Sequence, residues 1–199
     1  MTDETIFRVL IIAMLATGFT ISVYYRSKAA RASNERISRR EEGTPIMILL
    51  RLAGLSMWLS ILAHAINPEW MKWSALPLPI GVRWLGAGLS AIAIPLIFWM
   101  FRSLGRNVTD TVAIRREHTL VRHGPYRWIR HPLYSFGALL FTGIILMTAN
   151  WFIVLMGFVG FSILVMRTPI EEEKLIERFG DEYRAYMKQT GCFLPRLVR

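Results

Sequence analysis

The sequence predicts an all-α integral membrane protein with about five transmembrane helices, and three observations support this fold class. Hydrophobic residues make up 53% of the 199 residues and charged residues only 19%, which is too apolar for an ordinary soluble domain. Five apolar runs approach the roughly 20 residues that a helix needs to cross about 30 Å of hydrocarbon. The basic residues fall between particular runs, as they do in multi-pass membrane proteins.

The first three apolar runs are long enough to span a bilayer. They cover residues 6–25, 46–66 and 82–101. The third run contains Pro95, which predicts a kink that a membrane helix tolerates. The leader before the first run is acidic, and no small-residue cleavage site follows the run. We therefore expect the first run to be a membrane helix and not a cleavable signal.

The fourth and fifth runs, residues 133–149 and 152–166, are shorter, and only Asn150 and Trp151 separate them. This spacing predicts a tight helical hairpin, which either crosses the membrane fully or is embedded without crossing. Beyond it, large apolar residues recur at helical spacing, which predicts an amphipathic helix bent at Gly180. They are Leu175, Ile176, Phe179, Tyr183, Tyr186 and Met187.

The distribution of charge predicts the orientation in the membrane. The net charge is +10, and most of the 24 lysines and arginines lie in residues 26–44, 102–131 and 167–199. With five crossings these stretches share one side, which the positive-inside rule makes cytoplasmic, leaving the N-terminus outside and the C-terminus in the cytoplasm. Trp70, Trp73 and Trp84 would form an aromatic belt at the opposite interface. The basic excess therefore indicates topology and contact with membrane lipids, not nucleic-acid binding.

Polar side chains crowd the start of the fourth run, in "GPYRWIRHPLYS" at residues 124–135. Pro132 suits the first turn of a helix, which places His131 at the cap and Tyr134 over the helix entrance. One interpretation is a helix start decorated with interfacial polar residues. The other is a binding site, because the free N–H groups of a helix N-terminus favour an anionic group.

A second polar motif, "RTPIEEE" at residues 167–173, follows the fifth run. Thr168, Pro169 and Glu171 match a capping box, which would make this motif the start of a new helix. Arg167 and Glu171 are four residues apart and would then form only a helix-surface pair. Their position at the membrane edge, however, makes both candidates for a functional site.

Metal binding is not predicted. Cys192 is the only cysteine, so neither an internal disulfide nor a cysteine cluster can form. His118 and His123 lack the spacing of a helical ligand pair. His64, within the second run, is expected to be a structural histidine.

The two motifs, taken together, resemble a known family. "HTLVRHGPYRWIRHPLY" at residues 118–134, then a hydrophobic hairpin, then "RTPIEEEKLIERFGDEYRAY" at 167–186, is similar to the isoprenylcysteine carboxyl methyltransferase family of the phospholipid methyltransferase superfamily. These are membrane enzymes that use S-adenosylmethionine. The resemblance covers residues 104–195. It implies that residues 102–199 form the cofactor-binding catalytic half. Three membrane helices are predicted in 1–101, and the sequence has no internal repeat or low-complexity tract, so we expect one domain over 1–199.

The resemblance also implies roles for individual residues. It places a cofactor pocket on the cytoplasmic side, formed by the long loop between the third and fourth runs and by the amphipathic helix. The implied cofactor-binding residues are His118, Thr119, Leu120, Val121, Tyr126, His131, Pro132, Leu133, Tyr134 and Glu171. Arg167 corresponds to an arginine on the substrate side and is the expected catalytic residue. Thr111 stands where the family has a glutamine that helps to hold the cofactor.

The chemistry of these side chains suits S-adenosylmethionine. Glu171 can accept from its ammonium group, and His131 with the helix N-terminus can hold its carboxylate. A tyrosine ring can make a cation–π contact with the sulfonium. Leucine and valine side chains can bury the adenine; those available are Leu120, Val121 and Leu133.

We therefore expect a membrane methyltransferase whose lipophilic acceptor enters from the bilayer. A carboxylate acceptor needs no general base because it is ionised at neutral pH, and Arg167 can orient it. Three alternatives stay open: a phospholipid N-methyltransferase, a small-thiol S-methyltransferase, and a non-catalytic membrane scaffold that retains a relic pocket.

Overall fold

The structure is a computed structural model, and it describes residues 2–31, 44–107 and 119–196. The described residues form six α-helices and contain no β-strand. The helices are α1 (Asp3–Arg31), α2 (Thr44–Ile66), α3 (Ile80–Leu104), α4 (Pro132–Thr148), α5 (Trp151–Phe179) and α6 (Asp181–Gln189). Short 3-10 helices cover Pro68–Ser74, Gly105–Asn107 and Gly124–Arg127.

Four helices, α1, α2, α3 and α5, are long and apolar enough to cross a membrane. Their outward surfaces carry exposed leucine, isoleucine, phenylalanine and tryptophan, as a lipid-facing surface requires. The chain is thus an all-α integral membrane protein, as predicted. The remaining apolar helix, α4, has 17 residues, which is about 25 Å at 1.5 Å per residue and shorter than the hydrocarbon layer of about 30 Å. The predicted count of five full crossings therefore stays a prediction.

Small residues line the contact between helices α3 and α4. A Cβ added at Gly86 of α3 would lie 2.6 Å from the carbonyl oxygen of Gly143 on α4. One turn further along α3, the Ser90 hydroxyl donates to the carbonyl oxygen of Leu140 at 3.2 Å. Gly86 and Ser90 therefore form a small-xxx-small motif that lets the two backbones approach within the membrane.

The predicted hairpin between α4 and α5 is confirmed, and its turn is fastened to the rest of the bundle. Ala149 adopts a left-handed conformation with φ 47°, and Asn150 Oδ1 accepts from the backbone N–H groups of Phe152 and Ile153. The Asn150 side-chain amide donates to the carbonyl oxygen of Met71 at 3.0 Å and to Ser74 Oγ at 2.8 Å. The turn is thus held against the segment between α2 and α3.

A polar cluster joins α1, α2, α3 and α4 at the end of the bundle that holds the hairpin turn. Arg83 Nη1 lies 2.8 Å from Glu4 Oε2, and its Nε donates to the carbonyl oxygen of Met147 at 2.8 Å. Arg8 Nε donates to the carbonyl oxygen of Ala65 at 2.7 Å. His64 is buried, with Nε2 3.4 Å from Glu4 Oε1. That distance allows an ion pair, but neither ring nitrogen makes a geometrically good hydrogen bond within the described chain.

The prediction that a new helix begins at the "RTPIEEE" motif is wrong. Helix α5 runs without a break from Trp151 to Phe179, and Pro169 lies inside it. Thr168 does not cap a helix; its hydroxyl donates to the carbonyl oxygen of Leu164 at 3.0 Å. Proline removes one backbone hydrogen bond from the helix. Membrane helices tolerate this loss because neighbouring groups satisfy the carbonyl that is left without a partner. The predicted bend at Gly180 is confirmed, since Gly180 has φ 56° and separates α5 from α6.

Candidate active site

A cavity of about 360 Å³ lies at the end of the bundle opposite the hairpin turn. This volume is within the range of small-molecule sites, about 300–1,000 Å³. Every described residue predicted to serve the site lines the cavity: Thr119, Leu120, Val121, Tyr126, His131, Pro132, Leu133, Tyr134, Arg167 and Glu171. His118 and Thr111 lie outside the described residues.

Glu171 of α5 is the point at which the two predicted motifs meet. The hydroxyl of Tyr134 on α4 donates to Glu171 Oε1 at 2.6 Å. Arg167 Nε lies 3.2 Å from the same oxygen, and His131 Nδ1 lies 3.6 Å from Oε2. Glu171 is therefore oriented from both motifs, and a carboxylate has enough lone pairs to accept a further donor from the cavity.

Glu172, the next residue on α5, was not predicted, although it determines how His131 is held. His131 is the N-cap of α4, as expected from Pro132. Its Nε2 lies 3.3 Å from Glu172 Oε1, and its ring stacks on that of Tyr134 at a centroid distance of 5.5 Å. The imidazole is thus fixed between two carboxylates and an aromatic ring.

Arg130 connects Glu172 to the end of α6. Its Nε donates to Glu172 Oε1 at 2.7 Å, and its Nη1 donates to the carbonyl oxygen of Thr190 at 2.6 Å. The hydrogen bond and charge of Glu172 raise the pKa of Arg130, although burial acts in the opposite direction and is the largest single influence. Arg130 therefore stays charged and serves as a structural cation, oriented by α5 and the residues that follow α6.

Residues 190–193, the C-terminal strap, hold the entrance of α4 in place. The backbone N–H of Arg130 donates to the carbonyl oxygen of Gly191 at 2.9 Å. The backbone N–H of His131 donates to the carbonyl oxygen of Cys192 at 3.0 Å. The Ser135 hydroxyl donates to the carbonyl oxygen of Phe193 at 2.5 Å. The strap thus satisfies backbone groups where the chain enters α4.

Helix α6 forms an aromatic wall of the cavity. Tyr183 and Tyr186 are buried, and the Tyr186 hydroxyl donates to the carbonyl oxygen of Tyr126 at 2.6 Å. Burial raises the pKa of Tyr186 to about 12 and raises the pKa values of Tyr126 and Tyr183 as well. These phenols therefore remain neutral near pH 7 and present rings and hydroxyl donors, not bases.

The segment that begins at Thr119 is attached to the end of α3. The Asn107 side-chain amide donates to the carbonyl oxygen of Thr119 at 3.2 Å, and Asn107 Oδ1 accepts from the Thr119 backbone N–H at 3.4 Å. Further along, Gly124 has φ 62°, and a Cβ at this position would collide with Ser103. Glycine at this position allows the segment to turn against α3 and enter the cavity wall.

The lining also contains residues that were not predicted as site residues. Arg26 comes from α1, Leu104 from the end of α3, Asn107 from the 3-10 helix that follows it, and Leu164, Leu175 and Phe179 from α5. The helical stripe on α5 and α6 predicted an apolar face at Leu175 and Phe179. For Arg26 the sequence offers no local signal beyond a charge near the end of an apolar run.

His131, Glu172 and Cys192 bring three potential ligand atoms within 4.8 Å of one another. Glu172 Oε1, however, already accepts a hydrogen bond from Arg130. The positive charge of this guanidinium disfavours binding of a metal cation at the same oxygen. Burial, then the charge of Glu172, raises the pKa of the Cys192 thiol, whereas metal binding requires the thiolate. The prediction that the protein holds no metal stays a prediction.

Fold and site together define a class: helical integral membrane proteins in which an amphipathic end segment closes a polar cavity at one end of the bundle. The family model described as "Phospholipid methyltransferase" matches residues 82–182, about half of the chain. The chain belongs to this family, and the resemblance seen in the two motifs is confirmed.

Curated relatives with similar sequences include protein-S-isoprenylcysteine O-methyltransferase of Dictyostelium discoideum, which is 30% identical over 63% of this chain and 55% of the relative. Methanethiol S-methyltransferase of Pseudomonas deceptionensis is 32% identical over 58% of this chain and 44% of the relative. The chain spans about half the length of these relatives.

A solved structure of the eukaryotic intramembrane Ras methyltransferase ICMT (isoprenylcysteine carboxyl methyltransferase) is similar in fold. The TM-score is 0.55 at 20% identity, over 94% of this chain and 67% of that structure's chain. At this identity the similarity supports the shared fold alone.

Proposed function

We propose that the protein is an S-adenosylmethionine-dependent methyltransferase that methylates a lipophilic acceptor, in the manner of isoprenylcysteine carboxyl O-methyltransferases. The observation that carries the proposal is that both sequence motifs line one cavity and meet in the hydrogen bond from Tyr134 to Glu171. The similarity to isoprenylcysteine O-methyltransferases supports it.

The residues of the cavity fit the proposed cofactor. Glu171 offers a carboxylate for an ammonium group, and a charge-assisted hydrogen bond of this kind is among the strong ones. The apolar side chains of Leu120, Val121 and Leu133 suit a purine ring, and the tyrosine rings of the wall suit a sulfonium. When bound, S-adenosylmethionine supplies an electrophilic methyl group.

The contribution of the chain to catalysis is then alignment and exclusion of water. In-line methyl transfer depends mainly on the positions of the reacting atoms. The side chains that line the cavity from α4, α5 and α6 are held in place by hydrogen bonds to one another and to the backbone. Arg167, on the α5 wall, would orient an anionic acceptor through a bidentate pair. A carboxylate acceptor is already ionised at neutral pH, so no residue has to accept a proton.

We further propose that the cavity opens toward the cytoplasm and that the acceptor approaches from the bilayer. The three basic stretches predict a cytoplasmic C-terminus and an external N-terminus. Reporter proteins fused to each end test this orientation: a C-terminal fusion to a reporter active only in the cytoplasm is expected to be active, and the N-terminal fusion inactive. The reverse pattern would overturn the sidedness.

A second candidate function is S-methylation of a small thiol, which the similarity to methanethiol S-methyltransferases favours. A thiol has a pKa near 8.5 and reacts as the thiolate, so this activity needs a base. The described candidate is His131, whose ring nitrogens lie beside Glu171 and Glu172. Methylation of methanethiol in preference to lipophilic carboxylates would favour this candidate.

The test of the main proposal has two stages. Calorimetry on the purified protein in lipid nanodiscs is expected to detect binding of S-adenosylmethionine, and Glu171→Ala or His131→Ala is expected to weaken it severely. Transfer of a radiolabelled methyl group into membrane extracts, followed by mass spectrometry, then identifies the acceptor. Wild-type affinity in both variants would contradict the pocket assignment, and binding without any transfer would favour the scaffold with a relic pocket.

A further inference from the structure

We infer that Arg122 and Glu182 form a clasp that controls exchange of the cofactor between the cavity and the surroundings. The clasp fastens residues 119–123, the flap segment, to the first turn of α6. The inference rests on the proposed function and deepens it, because it adds control of the same site by two residues that the resemblance does not assign to the site.

The flap segment is held by side chains. Residues 119–123 belong to no helix or strand, and within the described part of the chain their main-chain groups make no hydrogen bond to another main-chain group. Asn107 holds the start of the segment, since its Nδ2 donates to Thr119 Oγ1 at 3.1 Å. A segment of this kind opens at a low cost in free energy, so its side-chain contacts determine how long it stays closed.

Arg122 attaches the flap segment to two turns of α6. Its Nη2 donates to Glu182 Oε1 at 2.8 Å and to the carbonyl oxygen of Glu182 at 3.2 Å. The same guanidinium lies over the ring of Tyr186, 5.9 Å from its centroid, where a cation is attracted to the aromatic face. The clasp thus combines an ion pair, a bond to the main chain and a ring contact.

The clasp joins two walls of the cavity from the outside. Residues 120–121, which directly precede Arg122, line the cavity on one side. Tyr183 and Tyr186 of α6 line it on the other. The side chains of Arg122 and Glu182 are 44% and 59% exposed, so the clasp lies at the surface. Separation of the flap segment from α6 would therefore open the cavity between its two walls.

The position of α6 suits a contact that opens and closes. The chain bends at Gly180, which has φ 56°, and the far end of α6 is fastened by Arg130, which donates to the carbonyl oxygen of Thr190. The first turn of α6 lies between this bend and the fastened end. An ion pair whose partners are both exposed is weak, so the clasp can release without unfolding the site.

The clasp joins protein groups to each other and lies outside the cavity. It therefore restricts entry and exit of a ligand alike, and its loss accelerates both by the same factor while the affinity stays unchanged. A residue that only shaped the binding surface would behave differently, because its loss would accelerate dissociation alone and weaken binding. Comparison of the two rate constants thus distinguishes a clasp from a wall.

The test measures association and dissociation of S-adenosylmethionine by surface plasmon resonance on the full chain in nanodiscs. In Arg122→Gln and in Glu182→Gln, both rate constants are expected to rise about threefold to tenfold, as the loss of an exposed ion pair with a ring contact predicts. The dissociation constant is expected to stay within about twofold of the wild-type value. High salt is expected to accelerate exchange in the wild type and to act less on either variant, since salt screens an exposed pair.

Arg184→Gln is the matched control. Arg184 lies on the same helix, and its Nη1 is 3.1 Å from Asp181 Oδ1 in an exposed ion pair that does not include the flap segment, so wild-type rates are expected. The double variant Arg122→Glu with Glu182→Arg exchanges the two charges and is expected to restore most of the slow exchange, whereas Arg122→Glu alone accelerates it. Melting temperatures near that of the wild type show that the variants are folded.

Any of four results would overturn the inference. They are wild-type rates in both single glutamine variants, equal acceleration in Arg184→Gln, faster dissociation without faster association, and a charge-exchanged double variant that is as fast as Arg122→Glu.

Failure of the proposed function gives a different pattern. Amide hydrogen exchange of residues 119–123 is measured with no ligand added, and it is expected to be faster in Arg122→Gln than in the wild type. If the wild type binds no S-adenosylmethionine and this difference is present, the clasp stands and the proposed cofactor is rejected. If amide exchange is the same in both proteins, the clasp itself is rejected.

Discussion

The hydroxyl of Tyr134, at the start of α4, donates a 2.6 Å hydrogen bond to Oε1 of Glu171 on α5. This contact joins two sequence motifs across the membrane hairpin and places both at one cavity. Because the hairpin turn lies at the other end of α4, the contact also fixes how far the two helices separate where the cavity opens between them.

Replacing Glu171 with glutamine is expected to weaken binding of S-adenosylmethionine by about tenfold or more, because a charged hydrogen bond of about 1.5–3 kcal/mol is replaced by a neutral one. Calorimetry in nanodiscs measures the change. Glu173→Gln removes the same charge from an exposed position on the same helix and serves as the control. Equal losses in both variants would assign the effect to the general charge of α5 and not to the cavity.

Replacing Arg167 with alanine is expected to abolish methyl transfer while S-adenosylmethionine affinity changes by less than about fivefold. Arg167 contributes to the orientation of Glu171, but Tyr134 and His131 also hold that carboxylate. Single-turnover assays and calorimetry on the same preparation separate the two effects. A parallel loss of both would move Arg167 to the cofactor side of the cavity.

Replacing Glu172 with alanine is expected to lower the melting temperature clearly, because it leaves Arg130 and His131 without their shared carboxylate in a largely buried site. Breaking a buried ion pair costs about 3–5 kcal/mol. Limited proteolysis is expected to cut near the C-terminal strap earlier than in the wild type, since Arg130 no longer links α5 to Thr190. An unchanged melting temperature and cleavage rate would show that the strap is held by its backbone hydrogen bonds alone.

Replacing Gly86 with leucine is expected to destabilise the bundle by about 1–3 kcal/mol, because the new side chain meets the backbone of α4. Gly88→Leu is the control on the same helix, since a Cβ at Gly88 meets nothing within 4 Å. Thermal unfolding followed by circular dichroism compares the two variants. Equal stability would indicate that α3 and α4 can separate without loss of structure.

The features that the sequence predicted correctly depend on short-range patterns. Apolar runs indicate membrane helices whatever their partners are, and Pro132 identifies the start of α4 because proline suits the first helical turn. Gly180 was recognised as a bend within an amphipathic pattern. The two polar motifs were recognised by resemblance, and the described residues that the resemblance assigns to the site line the cavity.

The features that were missed depend on contacts between distant parts of the chain. The sequence at Thr168, Pro169 and Glu171 has the composition of a helix start. Helix α5 nevertheless continues through these residues, and it packs on α2, a contact that the local sequence does not reveal. Neither Arg26 nor the C-terminal strap carries a local signal. Arg26 reaches the cavity lining only because α1 packs on α3. The strap acts only because residues 190–193 fold back against the entrance of α4.

The C-terminal strap has a consequence for biosynthesis. All six described α-helices precede residues 190–193 in the chain, so a nascent chain can form them while the entrance to α4 still lacks the backbone partners that Gly191 and Cys192 supply. Formation of the helices can therefore precede completion of the α4 entrance. We expect a polypeptide arrested at the end of α6 to contain all of these helices while the α4 entrance, which forms part of the cavity wall, stays incomplete.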